Sequence, residues 1–177
     1  MHTKGTVFAE IKTELLEQGF SIVQEDAERP WGGFFVIDEG QAQAFANTYF
    51  DGLDVNGLKI SGKLSPKILL VAPGTRLSWQ YHHRRAEIWC LIKGTAGVCT
   101  SFTDVEGPVK TLSVGECITL QQGERHRLLL SLRMRRILCG CRMILEGSIA
   151  SLYSTPPYLL NLISQNNIIR VNYVKYI

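Results

Sequence analysis

No run of apolar residues in this chain approaches the roughly 18 needed to cross a bilayer, so a membrane-spanning role is not expected. An excess of positive charge is also missing. The 19 Lys and Arg against 16 Asp and Glu leave a formal charge of +3. They do not cluster with stacking aromatics as a nucleic-acid-binding face requires. The opening stretch, MHTKGTVFAEIKTELLEQGF, is charged throughout and lacks the apolar centre of a signal peptide. Cysteine is present but unpatterned: Cys90, Cys99, Cys117, Cys139 and Cys141 are odd in number and form no C-x-x-C pair. Reduced thiols in a cytoplasmic protein are the expectation. What the chain does have is 177 residues with 45% hydrophobic composition, enough for one domain with a real core.

Apolar spacing predicts a helix over 6–18, with Phe8, Ile11 and Leu15 on one face, Thr6 as cap and Gly19 as stop. A short strand at Phe20–Val23, a second over Trp31–Asp38 and a helix over Gly40–Phe50 follow. From Lys67 the pattern changes to short β-rich runs: KILLVA, RLSWQY, EIWCLIK, AGVCTSF, VKTLSV, CITLQQ and RHRLLLSL. Gly- and Pro-bearing turns separate them, which favours an antiparallel sandwich or small barrel over an α/β sheet. Three parts result: an N-terminal helical and strand extension over 1–66, a β-barrel over 67–145, and an atypical tail over 146–177. Residues 1–127 carry fifteen of the sixteen acidic residues and the remainder only Glu146, although RILCGCRMIL still supplies a strand signal. Two accounts of the tail stay open: departure from the ancestral reading frame soon after Leu128, or a family-specific extension. Translating the gene in its other frames separates them.

The chemistry-bearing residues gather in two Gly-bounded segments, GTRLSWQYHHRRAEIWCLIKG (74–94) and GECITLQQGERH (115–126). Gln80 and His82 are two apart and share a strand face, while His83 points the other way. Glu87 follows a turn-like interval at Arg84-Arg85, and His126 arrives from a second strand after the Gly123 turn. Donors from two such hairpins can close on one divalent metal and leave positions open for substrate. Taken singly each has a plainer role: Gln80 and His82 as polar residues on a solvated face, His126 as a hydrogen-bonded core histidine.

The spacing resembles the paired motifs of the cupin superfamily. In the first, Gly74, Gln80, His82, Glu87 and Gly94 stand at the family's positions, with Gln80 where a first His is usual. In the second, Gly115, Gly123 and His126 match, with Gln121 for Pro and Leu130 for Asn. QYHHRRAEIW, the following GTAGV, the downstream GERHR and the earlier RPWGGF resemble, more narrowly, the cupin domain of type II mannose-6-phosphate isomerases. That resemblance covers roughly Glu28 to Leu128. It implies a mainly β, cupin-type antiparallel β-barrel (double-stranded β-helix, or jelly roll) with N-terminal helices. It also implies a divalent metal on Gln80, His82, Glu87 and His126, with zinc the first expectation and manganese, nickel or iron as alternatives. The chain departs from the group at Arg84, where a third His is usual. Such domains often follow a sugar nucleotidyltransferase domain; these residues contain none, and no guanylyltransferase activity is expected of them.

The implied reaction is aldose–ketose isomerisation of a phosphorylated sugar, most simply mannose 6-phosphate to fructose 6-phosphate. A neutral amide, two imidazoles and a carboxylate would leave a divalent ion with a net charge of about +1, suited to polarising a carbonyl and its neighbouring hydroxyl. Phosphate binding needs Arg forks or Lys point charges, and among Lys67, Arg76, Arg84, Arg85, Arg125 and Arg127 the candidates are Lys67 and Arg84. Glu124 is the candidate base, with a metal-bound water as the alternative. Trp79, Tyr81 and Trp89 are expected to pack rather than to stack on sugar. The expected partner is a small sugar phosphate, without nucleic acid or membrane, and a homodimer is compatible. Two other functions compete: a non-catalytic sugar- or metal-binding cupin, and a metal-dependent oxygenase, which more often has His where Gln80 stands.

Overall fold

The computed structural model describes residues 3–58, 63–130 and 138–146, and among them are two α-helices, two short 3-10 helices and nine strands. The tail expected over 146–177 lies, apart from Glu146, outside the described residues. Helix α1 (Lys4–Glu17) begins three residues earlier than the cap at Thr6 implied. The Thr3 hydroxyl oxygen accepts the backbone N–H of Thr6 at 3.2 Å, so Thr6 sits inside the first turn. Phe8, Ile11 and Leu15 are buried as their spacing requires, and Gly19 (φ +84°) ends the segment in a left-handed conformation.

Strand β1 (Ile22–Arg29) runs well past the apolar signal that ended at Val23, because it is the edge of its sheet and a polar outer strand is tolerated there. Lys12 of α1 pairs with Glu25 at 2.8 Å. Strand β2 (Gly32–Ile37) starts with two glycines for a steric reason. A Cβ at Gly32 would collide with the carbonyl of Leu70, and one at Gly33 with the carbonyl of Asp26 and the ring of Phe8. Helix α2 (Ala42–Tyr49) buries Ala42, Phe45 and Ala46.

The remaining strands are β3 (Lys67–Val71), β4 (Arg85–Lys93), β5 (Ala96–Ser101), β6 (Lys110–Leu112), β7 (Cys117–Leu120), β8 (Arg125–Leu129) and β9 (Leu138–Glu146). They form two antiparallel sheets, one in the order β1-β2-β3-β9-β4-β7 and one in the order β6-β5-β8. The closed barrel expected from the sequence resolves into these two sheets. They meet where the β3–β4 connection lies against β8. Leu77 N–H donates to Leu128 O at 3.0 Å and Leu130 N–H to Thr75 O at 3.0 Å. The predicted RLSWQY strand is therefore reduced to two isolated bridges, Arg76–Leu129 and Gln80–His126. The RILCGCRMIL signal does become a strand, β9, inserted between β3 and β4.

Strand β4 is buried on both faces, and its alternation assigns each side chain to one of two cores. Ala86, Ile88 and Cys90 join Phe35, Phe45 and the helices on the outer side. Trp89 and Leu91 join Leu69, Val98, Leu120 and Leu128 between the sheets. Glu87 shares the inner face with Trp89 by strand parity. Among the described residues no helix is long and apolar enough to cross a membrane.

The expectation of reduced thiols fails at one pair: Cys90 and Cys117 are joined in a disulfide. Antiparallel pairing of β4 with β7 sets the two residues directly opposite, 27 positions apart in sequence. Cysteine counting and C-x-x-C spacing do not see cross-strand register.

Candidate metal centre

Gln80 and His126 are locked by a reciprocal backbone pair, His126 N–H to Gln80 O at 2.7 Å and Gln80 N–H to His126 O at 3.2 Å. Directly opposed residues of an antiparallel pair share a face, so the two hairpins deliver these side chains to the same side. After Gln80 the chain bends at 83–84 rather than continuing as a regular strand, and β4 begins at Arg85. That bend folds Glu87 back beside His82.

The result is a compact trio. Ligand atoms of His82, Glu87 and His126 lie within 4.8 Å of one another. His82 Nε2 is 3.1 Å from Glu87 Oε1, and His126 Nε2 is 3.9 Å from Glu87 Oε2. Glu87 is 0% and His126 1% exposed, while the His82 side chain keeps 17%, which leaves the His82 side as the approach. A carboxylate buried this deeply is costly unless it is paired. Trp89 Nε1 donates to Glu87 Oε2 at 2.8 Å, and Arg85 Nε lies 3.2 Å from Oε1. Trp89 also stands edge-on to the His126 ring, with centroids 5.3 Å apart.

The tautomer of His126 follows from its other nitrogen. Nδ1 lies 3.0 Å from the carbonyl of Glu124, which only accepts, so Nδ1 carries a proton, and in the neutral ring Nε2 carries the lone pair. Arg85 Nη2 is likewise 3.1 Å from His82 Nε2, and Glu87 Oε1 stands at the same distance, so this nitrogen lies between a donor and an acceptor. Two imidazole nitrogens and a carboxylate converging from three chain segments form a donor set suited to a divalent cation. The donor chemistry and spacing fit such an ion.

The other predicted residues sit at different distances from this trio. Lys67 lies on β3 with Nζ 5.6 Å from the Phe34 ring centroid, in the row that register continues through Arg142 of β9 to Trp89. Arg84 is exposed at the bend, and it is Arg85 that touches His82 and Glu87. Glu124 uses Oε2 to accept the Gln121 N–H at 2.8 Å, closing the turn before β8. His83 stacks edge-on with Tyr81, 4.8 Å between centroids, and Arg125 covers Tyr81 at 4.3 Å. Trp89 is core, as expected. Arg85 and Trp89 were missed as site residues although a signal existed. Both stand two positions from Glu87, on its face of the strand, and a buried indole N–H needs an acceptor.

Residues 43–135 match the family described as mannose-6-phosphate isomerase C-terminal. The chain belongs to this family. Its cupin domain resembles that of type II mannose-6-phosphate isomerases. Mannose-1-phosphate guanylyltransferase of Escherichia coli (strain K12) is 31% identical over 106 residues, covering 60% of this chain and 17% of that protein. Alginate biosynthesis protein AlgA of Pseudomonas aeruginosa is 36% identical over 87 residues, covering 48% of this chain and 14% of AlgA. The chain thus spans about a sixth of the length of these curated relatives. A sugar phosphate isomerase from the cupin superfamily of Silicibacter pomeroyi superposes with a TM-score of 0.42 at 14% identity, over 64% of this chain and 60% of that one.

Proposed function

We propose that this family member is a metal-dependent aldose–ketose isomerase acting on a phosphorylated sugar, with mannose 6-phosphate as the simplest substrate. The observation that carries the reading is the buried Glu87 carboxylate flanked by the Nε2 atoms of His82 and His126. Gln80, paired to His126 through the backbone, completes the ligand set, and zinc is the first metal to test. A divalent ion held there supplies Lewis-acid polarisation of the sugar carbonyl and its neighbouring hydroxyl. The chain's own residues do the rest. Trp89 and Arg85 hold the Glu87 carboxylate in place, and the Glu124 carbonyl fixes the His126 ring. Lys67 and the exposed Arg84 supply positive charge for the phosphate. Isomerisation moves one proton between adjacent carbons, and Glu124 is assigned as the base. Sugar phosphates do not cross membranes unaided, which supports the cytoplasm as the setting of this activity.

The test is to load purified protein with zinc, manganese, cobalt or nickel and assay ketose formation from aldose phosphates. Turnover should appear with at least one metal and vanish in Gln80→Ala and His126→Ala, which should also lose bound metal. No turnover with any of the four would remove the catalytic claim. Unchanged metal content in both variants would refute the ligand set. A second reading, sugar or metal binding without turnover, draws on Glu124, one of whose carboxylate oxygens is committed to the Gln121 N–H. Sugar-phosphate binding in a metal-loaded but inactive protein would favour it.

A further inference from the structure

The Cys90–Cys117 disulfide plays no part in the chemistry above, yet it lies on the two strands that lead into the metal centre. Among the described residues β7 is the last strand of its sheet and has only β4 as a sheet neighbour. Its register runs Cys117–Cys90, Ile118–Trp89, Thr119–Ile88 and Leu120–Glu87, so the disulfide closes one end of a four-pair ladder and Glu87 the other. Just past Leu120 comes the turn that serves both histidines. Gly123 N–H donates to the carbonyl of His82 at 2.9 Å, and the Glu124 carbonyl receives His126 Nδ1 at 3.0 Å. Exposure within the disulfide is lopsided: Cys117 faces solvent and Cys90 is 3% exposed. Cys99 is a buried free thiol. Desolvation, then the nearby Glu106 carboxylate, push its pKa up, so it is a poor nucleophile.

We propose that the Cys90–Cys117 bond is a thiol-sensitive staple, opened at Cys117 by a small cellular thiol, that sets how firmly β7 and the turn orienting His126 are held against β4. The effect on metal binding rests on the metal-centre reading; the staple itself does not. The chemistry is ordinary exchange. A thiolate RS⁻ attacks the accessible Cys117 Sγ, the S–S bond breaks, and Cys90 leaves as a thiolate that takes a proton from solvent. A second RSH attacks the resulting mixed disulfide, releasing RSSR and the Cys117 thiol. The net change is one protein disulfide and two RSH to one protein dithiol and one RSSR.

The experiment uses the full chain, metal-free, with and without reduced glutathione. Mass spectrometry of alkylated peptides should show glutathione passing through Cys117 and not Cys90. Amide hydrogen exchange over 117–126 should quicken by about tenfold on reduction, while the β2–β3 pair stays unchanged. The Cys90→Ala/Cys117→Ala variant should exchange fast with or without thiol, which separates the staple from any effect of glutathione elsewhere. Unchanged exchange over 117–126 overturns the proposal. So does an oxidised protein in which Cys90 is joined to Cys141, which register places opposite it on the other flank. Zinc titration of both states then decides the link to the site, with affinity expected to fall several-fold on reduction. Equal zinc affinity in the two states overturns the link. Failure of both states to bind zinc sinks the metal-centre reading and leaves the staple to be judged by exchange alone.

Discussion

The two faces of strand β4 are equally buried and chemically opposite. Outward, Ala86 and Ile88 meet Phe35, Phe45 and the two helices in an apolar core. Inward, on the same nine-residue strand, Glu87 is fully buried beside Trp89 and faces two histidines. Burial by itself therefore says nothing about role. A side chain such as Phe45 contributes about 1.5–3 kcal/mol by leaving water. Burying Glu87 costs free energy, and only its partners offset that cost. The outer face holds the fold together, and the inner face is where the fold accepts a local penalty for a polar site. The sharpest test of this contrast is Glu87→Ala. Removing the carboxylate should abolish stoichiometric zinc retention, measured by metal analysis after dialysis, while far-UV circular dichroism stays native. Full zinc content in that variant would remove the inner face's claim to be a metal centre.

Phe45→Ala attacks the opposite side. Phe45 is 0% exposed and packs against Phe20, Tyr49 and Phe50. Its truncation should cost about 3–5 kcal/mol of unfolding free energy in urea. Zinc affinity of the remaining folded protein should hardly change. A large drop in affinity with little loss of stability would reverse the assignment of the two faces. Trp89→Phe sits between these extremes, because it keeps an inward-facing ring but deletes the donor to Glu87 Oε2. Leaving that buried oxygen short of a partner should cost about 1–3 kcal/mol. Zinc affinity should fall about 10- to 100-fold, the usual effect of removing a group that orients a ligand. Loss of stability with affinity intact would make Trp89 a packing residue only.

How far the molecule was legible in its sequence follows the same division. Periodicity found both helices and nearly every strand, because core-facing residues such as Phe8, Ile11 and Leu15 must recur at element-specific spacing. The donors Gln80, His82, Glu87 and His126 stood out through their spacing between glycines. Three of them are brought together by the fold, and Gln80 is paired through its backbone to the histidine of the second motif, His126. Features that depend on which strand lies beside which could not be read. Cys90 meets Cys117 only through register, Arg85 rather than Arg84 reaches the trio because the chain bends before β4, and β1 extends into polar sequence because it is an edge. The cap is expected at Thr6 and found at Thr3 for a local reason: both residues are threonine, and the hydroxyls lie 2.8 Å apart in the same turn.

That pair of threonines supplies the smallest and most discriminating comparison. Thr3→Ala removes the side-chain acceptor for the Thr6 N–H at the start of α1, on the outer layer. The expected loss is about 1 kcal/mol of stability, since an N-terminal amide then has only water as its partner. Thr6→Ala leaves the cap oxygen in place and should cost less. Neither change touches the inner face of β4, so zinc affinity should be the same in both variants and in the wild type. A shift in zinc affinity from Thr3→Ala would mean that α1 transmits strain through Phe8 and the Gly33 contact of β2 into the inner core. The two faces would then be one coupled unit, and the contrast between them a matter of chemistry without mechanical independence.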